Sequence, residues 1–194
     1  CKSPMRPGTW SGTVTQQVAL EGTASSGFTV NGRGDSSGRL TVKIKCSGTL
    51  TGTLTEAKFS LQATTSISSI SIPIQCEGVT MERALSGSVK KGAGGKPTID
   101  LVYGPPTGET FRCAPGPLGD VLNAAYSQSG GTGTTTPGAP SGLSLPASSA
   151  TKTRVAGRSF QATGGFDPIA IVTQNLAQFG LTPSVTQAWE LARS

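Results

Sequence analysis

Residues 30–39 read VNGRGDSSGR, and they separate two stretches in which apolar and polar side chains alternate. Before them, Trp10, Val14, Val18 and Leu20 share even parity, as do Phe28 and Val30. After them, Leu40, Val42, Ile44 and Cys46 keep the same phase. A period of two sets one face of a strand against a core and the other in water. Asn31-Gly32 and Ser37-Gly38 are turn dipeptides, because glycine reaches positive φ freely and asparagine tolerates it. The stretch is therefore predicted to be a hairpin loop, with Arg33 and Asp35 exposed at its tip.

Beyond that loop, Leu50 and Leu54 keep even parity while Phe59, Leu61 and Ala63 are odd. A two-residue turn at Glu56-Ala57 accounts for the flip. The repeat GTLTGTLT (48–55) places glycines where bends or a close backbone approach are expected. Ile70, Ile72, Ile74 and Cys76 form another strand, and Pro73 on its opposite face marks an edge or a bulge. Residues 79–89 and 97–103 follow, joined by the Gly-rich turn at 90–96. A last short strand ends at Cys113. About eight short strands predict a mainly β fold: an antiparallel meander forming a small barrel, a curved sheet or a sandwich.

Residues 117–126 are predicted to be a short helix carrying Leu118, Val121 and Leu122 on one side. Residues 127–153 have the composition of a linker, with almost nothing to bury. Asp167 is a good N-cap and Pro168 a good first helical residue. Ile169, Val172, Leu176 and Phe179 then recur at helical spacing, and Gly180 suits a C-cap. Thr182-Pro183 starts a second helix carrying Val185, Ala188, Trp189 and Ala192. Such an αα-hairpin is too small to cover its own apolar stripe. Phe166, Ile169, Val172, Leu176, Phe179 and Trp189 are therefore expected to dock onto other protein subunits, where large aromatics carry much of the energy. The resulting division is an N-terminal tether (1–7), a β-domain with a short terminal helix (8–126), a linker (127–153) and a helical docking segment (154–194). Removal of residues 154–194 is expected to leave the β-domain folded but unassembled.

The chemistry points away from catalysis. There is no histidine, which excludes His-based triads, His metal sites and imidazole acid–base chemistry. The acids are scattered. Asp100 and Glu109 form the one pair that a hairpin would bring together, whereas glycoside hydrolysis needs two carboxylates converging in a cleft. No Gly-rich phosphate loop with a following Lys and Ser/Thr occurs. No enzymatic activity, cofactor or metal is expected. The net charge of +6 fits a basic soluble surface or one that meets an anionic surface. Lys43 and Lys45, flanked by Arg39, lack the aromatic platforms of a single-strand binder. Residues 176–193 (LAQFGLTPSVTQAWELAR) resemble a helix-turn-helix, but Val185 comes one position early. No nucleic-acid partner is expected.

Three further resemblances bear on function. Cys1-Lys2-Ser3-Pro4 resembles the start of a processed bacterial lipoprotein. That implies a lipid on Cys1 and a membrane-anchored place outside the cytoplasm. Acylated, Cys1 would leave one disulfide among Cys46, Cys76 and Cys113; the up-and-down strand order favours Cys46 with Cys113. Unacylated, it would allow two. Arg33-Gly34-Asp35 is the tripeptide that integrins read in matrix proteins, and an exposed loop is the setting in which they read it. Gly8-Thr9-Trp10 resembles the Gly-x-Trp of the calycin group, which implies a barrel end closed by Trp10, with Arg112 packed across it over a cavity for a small apolar ligand. The expected function is that of an exported, lipid-anchored accessory or structural subunit of a cell-envelope or surface assembly. A calycin-like carrier and an adhesin are the alternatives.

Overall fold

The computed structural model describes residues 1–23, 27–128, 142–161 and 183–194. Its strands are β1 (Gly8–Thr23), β2 (Thr29–Ile44), β3 (Thr49–Ile67), β4 (Ile70–Lys91), β5 (Pro97–Thr107), β6 (Thr110–Cys113), β7 (Gly142–Pro146), β8 (Ser149–Ala150), β9 (Arg154–Gln161) and β10 (Ser184–Arg193). A 3-10 turn (Ala93–Gly95) joins β4 to β5, and a helix, α1 (Pro117–Gln128), follows β6. The predicted short helix and Gly-rich turn are both present.

All strands belong to one antiparallel sheet in the order β7-β5-β4-β3-β2-β1-β10-β9-β8, with β6 paired to β4. Right-handed twist accumulated over strands this long curls the sheet into a half-barrel. The two ends of the order, β7 and β8, are separated in the chain only by Ala147 and Ser148. The Ala147 N–H donates to Pro97 O (3.0 Å), and the Ser148 N–H donates to Ala156 O (2.9 Å). One short segment thus ties the two margins of the curl together at one end.

The opening stretch is strand, not loop. Residues 30–39 lie within β2 and pair with β1 and β3 on either side. Gly34, Ser36, Gly38 and Leu40 face inward, while Arg33 and Asp35 face out. The glycines that signalled turns are instead small residues on the inner face. The flip of parity at Glu56-Ala57 is real, but its cause is a β-bulge within β3. Glu56 takes a φ of 53°, and the β2–β3 register shifts between Ser37 and Arg39. The residues expected to form two strands around Cys76 and Val79 likewise form one long strand, β4. Its hairpin with β3 turns at Ser68-Ser69, with Ser68 at φ 57°. Pro73 lies on the part of β4 before its first β6 partner, Cys76, as an edge position allows.

The C-terminal expectations need larger corrections. The predicted second helix is β10, which pairs with β1 from Ala19↔Ser184 to Trp10↔Arg193. The αα-hairpin is therefore not formed; its first half (167–180) lies outside the described residues. Part of the predicted linker is β7 and β8, and Leu143 and Leu145 are core residues. The expected docking segment contributes β9 and β10 to the main sheet.

Two apolar clusters fill the curl. One, at the tied end, includes Trp10, Val14, Leu40, Leu50, Leu54, Leu101, Leu145, Trp189 and Leu191. The other includes Val18, Val30, Phe59, Leu61, Cys76, Cys113 and Val185, with Leu122 of α1 packed against it. Between them lies a buried polar belt. Gln16 and Gln187 face each other across β1 and β10, and the Gln187 amide donates to Gln16 Oε1 (3.3 Å). Ser36, the register partner of Gln16, is buried beside them, and Thr80 is buried opposite Ala57.

Candidate binding surface at the tied end

Disulfides organise the two ends of the curl. Cys1 is bonded to Cys46, and Cys76 to Cys113. The Cys46–Cys113 pairing expected from strand order is not formed. Cys76 and Cys113 are register partners on β4 and β6, whereas Cys46 lies just past β2 at the tied end. In this structure the Cys1 sulfur, expected to carry a lipid, is joined to Cys46. The link also fixes the N-terminal arm across the end of the sheet, where the Lys2 and Ser3 N–H groups both donate to Cys46 O. The Trp10 indole N–H donates to Arg6 O (3.0 Å) and holds the arm from inside.

This end gathers positive charge. The arm brings Lys2 and Arg6, and the close of β2 brings Lys43 and Lys45. The β4–β5 turn brings Lys90, Lys91 and Lys96, the β8–β9 turn brings Lys152 and Arg154, and β10 brings Arg193. These are ten of the chain's 16 Lys and Arg residues. Two acids, Asp100 and Glu190, stand beside these cations. Asp100 pairs with Lys90 (2.8 Å) and Glu190 with Arg154. Lys96 Nζ donates to Ser148 O (2.6 Å), so it also braces the tie. Lys45, Lys91 and Lys152 are exposed and make no ion pair among the described residues. Sequence reading missed this surface because its cations come from turns far apart in the chain. The signal was present only as Lys and Arg at strand ends.

The other predicted site residues fall elsewhere. Arg33 and Asp35 pair with each other on the outer face of β2, Nη2 to Oδ1 at 2.8 Å and Nε to Oδ2 at 2.9 Å. That hydrogen bond, then the carboxylate's charge, raises the Arg33 pKa. The tripeptide is mid-strand and self-paired, not at a loop tip. Residues 34–38 also spell Gly-x-Ser-x-Gly, but Ser36 is 5% exposed and mid-strand, not on a strand-to-helix elbow. Arg112 lies on the outer face of β6 opposite Glu77, and the register partner of Trp10 is Arg193. The expected packing of Arg112 on Trp10 is therefore absent. Asp100 and Glu109 do not meet. Asp100 is at the tied end, while Glu109 is buried near Arg83 (3.9 Å), whose guanidinium sits 5.8 Å from the Tyr103 ring centre. Burial, then the charge of Glu109, pushes the Tyr126 phenol up to about 12. Trp189, expected to dock outward, is 3% exposed and belongs to the chain's own core. Phe166, Ile169, Val172, Leu176 and Phe179 lie outside the described residues.

Among the described residues no helix is long and apolar enough to cross a membrane, and no cluster of acids and cysteines could hold a metal. The chain matches no protein-family model, no curated protein and no solved structure.

Proposed function

We propose that this chain is an exported, non-enzymatic accessory subunit of a cell envelope or surface that attaches through its tied end to a polyanionic polymer. The observation that carries the reading is the segregation of charge, with most of the cations at one end beside two acids already in ion pairs. Closely set cations on a rigid, cross-linked end attract repeated anions, and that attraction is screened by salt. Two disulfides support an oxidising compartment outside the cytoplasm.

The test uses immobilised heparin as a soluble-polyanion mimic and compares two triple variants. Lys45→Gln with Lys91→Gln and Lys152→Gln is expected to elute at clearly lower salt than the parent protein. Arg33→Gln with Lys58→Gln and Arg112→Gln removes the same charge from the outer face and is expected to elute close to the parent. Equal elution of the two triples would show that net charge alone is being read, and the proposal would fall.

A further inference from the structure

Away from the tied end, the outer face of the sheet carries a groove of about 730 Å³. It crosses β1, β2, β3, β4 and β6 just beyond the Glu56 bulge. A bulge bends its strand and sharpens the local twist, which accounts for a hollow on a face that would otherwise be convex. The groove follows the pairing register. Gln17, Asp35, Ser60, Glu77 and Arg112 stand opposite one another in a single rung, strand to strand. A parallel rung two residues away has Lys58 at its centre. Four inter-strand steps make the rung about 19 Å long, and two rungs make the floor about 7 Å wide.

We propose that this groove binds a linear, uncharged oligosaccharide laid across the strands, a site separate from the basic end. The side chains decide the class of ligand. Glu77 accepts hydrogen bonds, as does Asp35 with the lone pairs that Arg33 leaves open, Arg112 and Lys58 donate them, and Gln17 and Ser60 do both. A chain of hydroxyl groups offers donors and acceptors at every unit and answers all of them. A polyphosphate would meet as many carboxylates as cations on the floor and gain no net attraction. A lipid or an apolar peptide would need apolar pockets, and Val79 is the one partly exposed apolar side chain lining the groove. The acids and bases of the two rungs balance, which favours an uncharged ligand.

The experiment maps backbone amide shifts of the intact, oxidised protein on titration with cellohexaose, chitohexaose, maltohexaose and mannohexaose. At least one is expected to give saturable shifts centred on residues 15–17, 35–37, 58–60, 77–79 and 110–112, with little dependence on salt. Ser60→Trp, which fills the groove, is expected to abolish them. Asp35→Asn with Glu77→Gln is expected to weaken binding at least tenfold, and the lysine triple at the tied end is expected to leave it unchanged. Absence of saturable shifts with all four probes, or shifts centred elsewhere, would overturn the proposal. The map on the parent protein decides this even if a variant misfolds. Because heparin retention is expected to turn on Lys45, Lys91 and Lys152 and to fall with salt, whereas the amide shifts map to the groove and do not, either proposal can fail without the other.

Discussion

At the scale of single residues, Gly157 shows why composition misleads. It is buried on β9, and a Cβ there would stand 2.0 Å from Pro146 O and 2.6 Å from Trp189 Nε1. The glycine lets one margin of the curl approach the other while the Trp189 indole packs over it. Gly157→Ala is expected to cost about 1–3 kcal/mol by overpacking, read as a lower urea midpoint with an unchanged slope. The same lesson applies to residues 30–39. Asn-Gly and Ser-Gly are turn dipeptides where φ must be positive, but a glycine that fits under a facing side chain looks identical in the sequence. Gly38 is such a case, since a Cβ there would come within 2.7 Å of Leu54 Cδ1. Conversely, the β3–β4 turn uses Ser68 at positive φ and contains no glycine, so local turn chemistry gave no sign of it. Gln16 was a legible clue, since a polar residue at even parity between Val14 and Val18 marks the polar belt.

At the scale of elements, parity was a better guide than turn residues. It placed the inward faces of β1 and β2 correctly and detected the bulge in β3, although as a turn. It was also available for β10, where Val185, Trp189 and Leu191 share odd parity around Gln187. Helical spacing competed, because Val185 and Trp189 are four apart and residues 187–192 are good helix formers. Pairing with β1 overrides that preference, as tertiary context commonly does. The consequence reverses the expectation for truncation. Removing residues 154–194 takes away β9 and β10, exposes the edge of β1 and uncovers Trp10. The truncated chain is expected to lose its cooperative thermal transition and aggregate, as measured by calorimetry and light scattering. A truncated chain with a parent-like transition would contradict the described sheet.

At the scale of the whole molecule, the mainly β class could be read from alternation, but the curl and the cysteine pairing could not. Both depend on the register between strands, and that is set by the Glu56 bulge and by the 142–150 segment that composition marks as linker. Cys76 and Cys113 close a loop over a sequence separation of 37. On the chain-entropy argument, replacing both by serine is expected to cost about 4 kcal/mol, measured by denaturant unfolding against the parent. The pairing of β1 with β10 has a further consequence for folding. Trp10 stands opposite Arg193, so β1 cannot gain its second neighbour until β10, more than 160 residues further along the chain, is available. Sequence-distant pairing of this kind is slow to form. Until that pairing forms, β1 keeps an unpaired edge open to other chains, so the step that closes the sheet also removes its best template for aggregation.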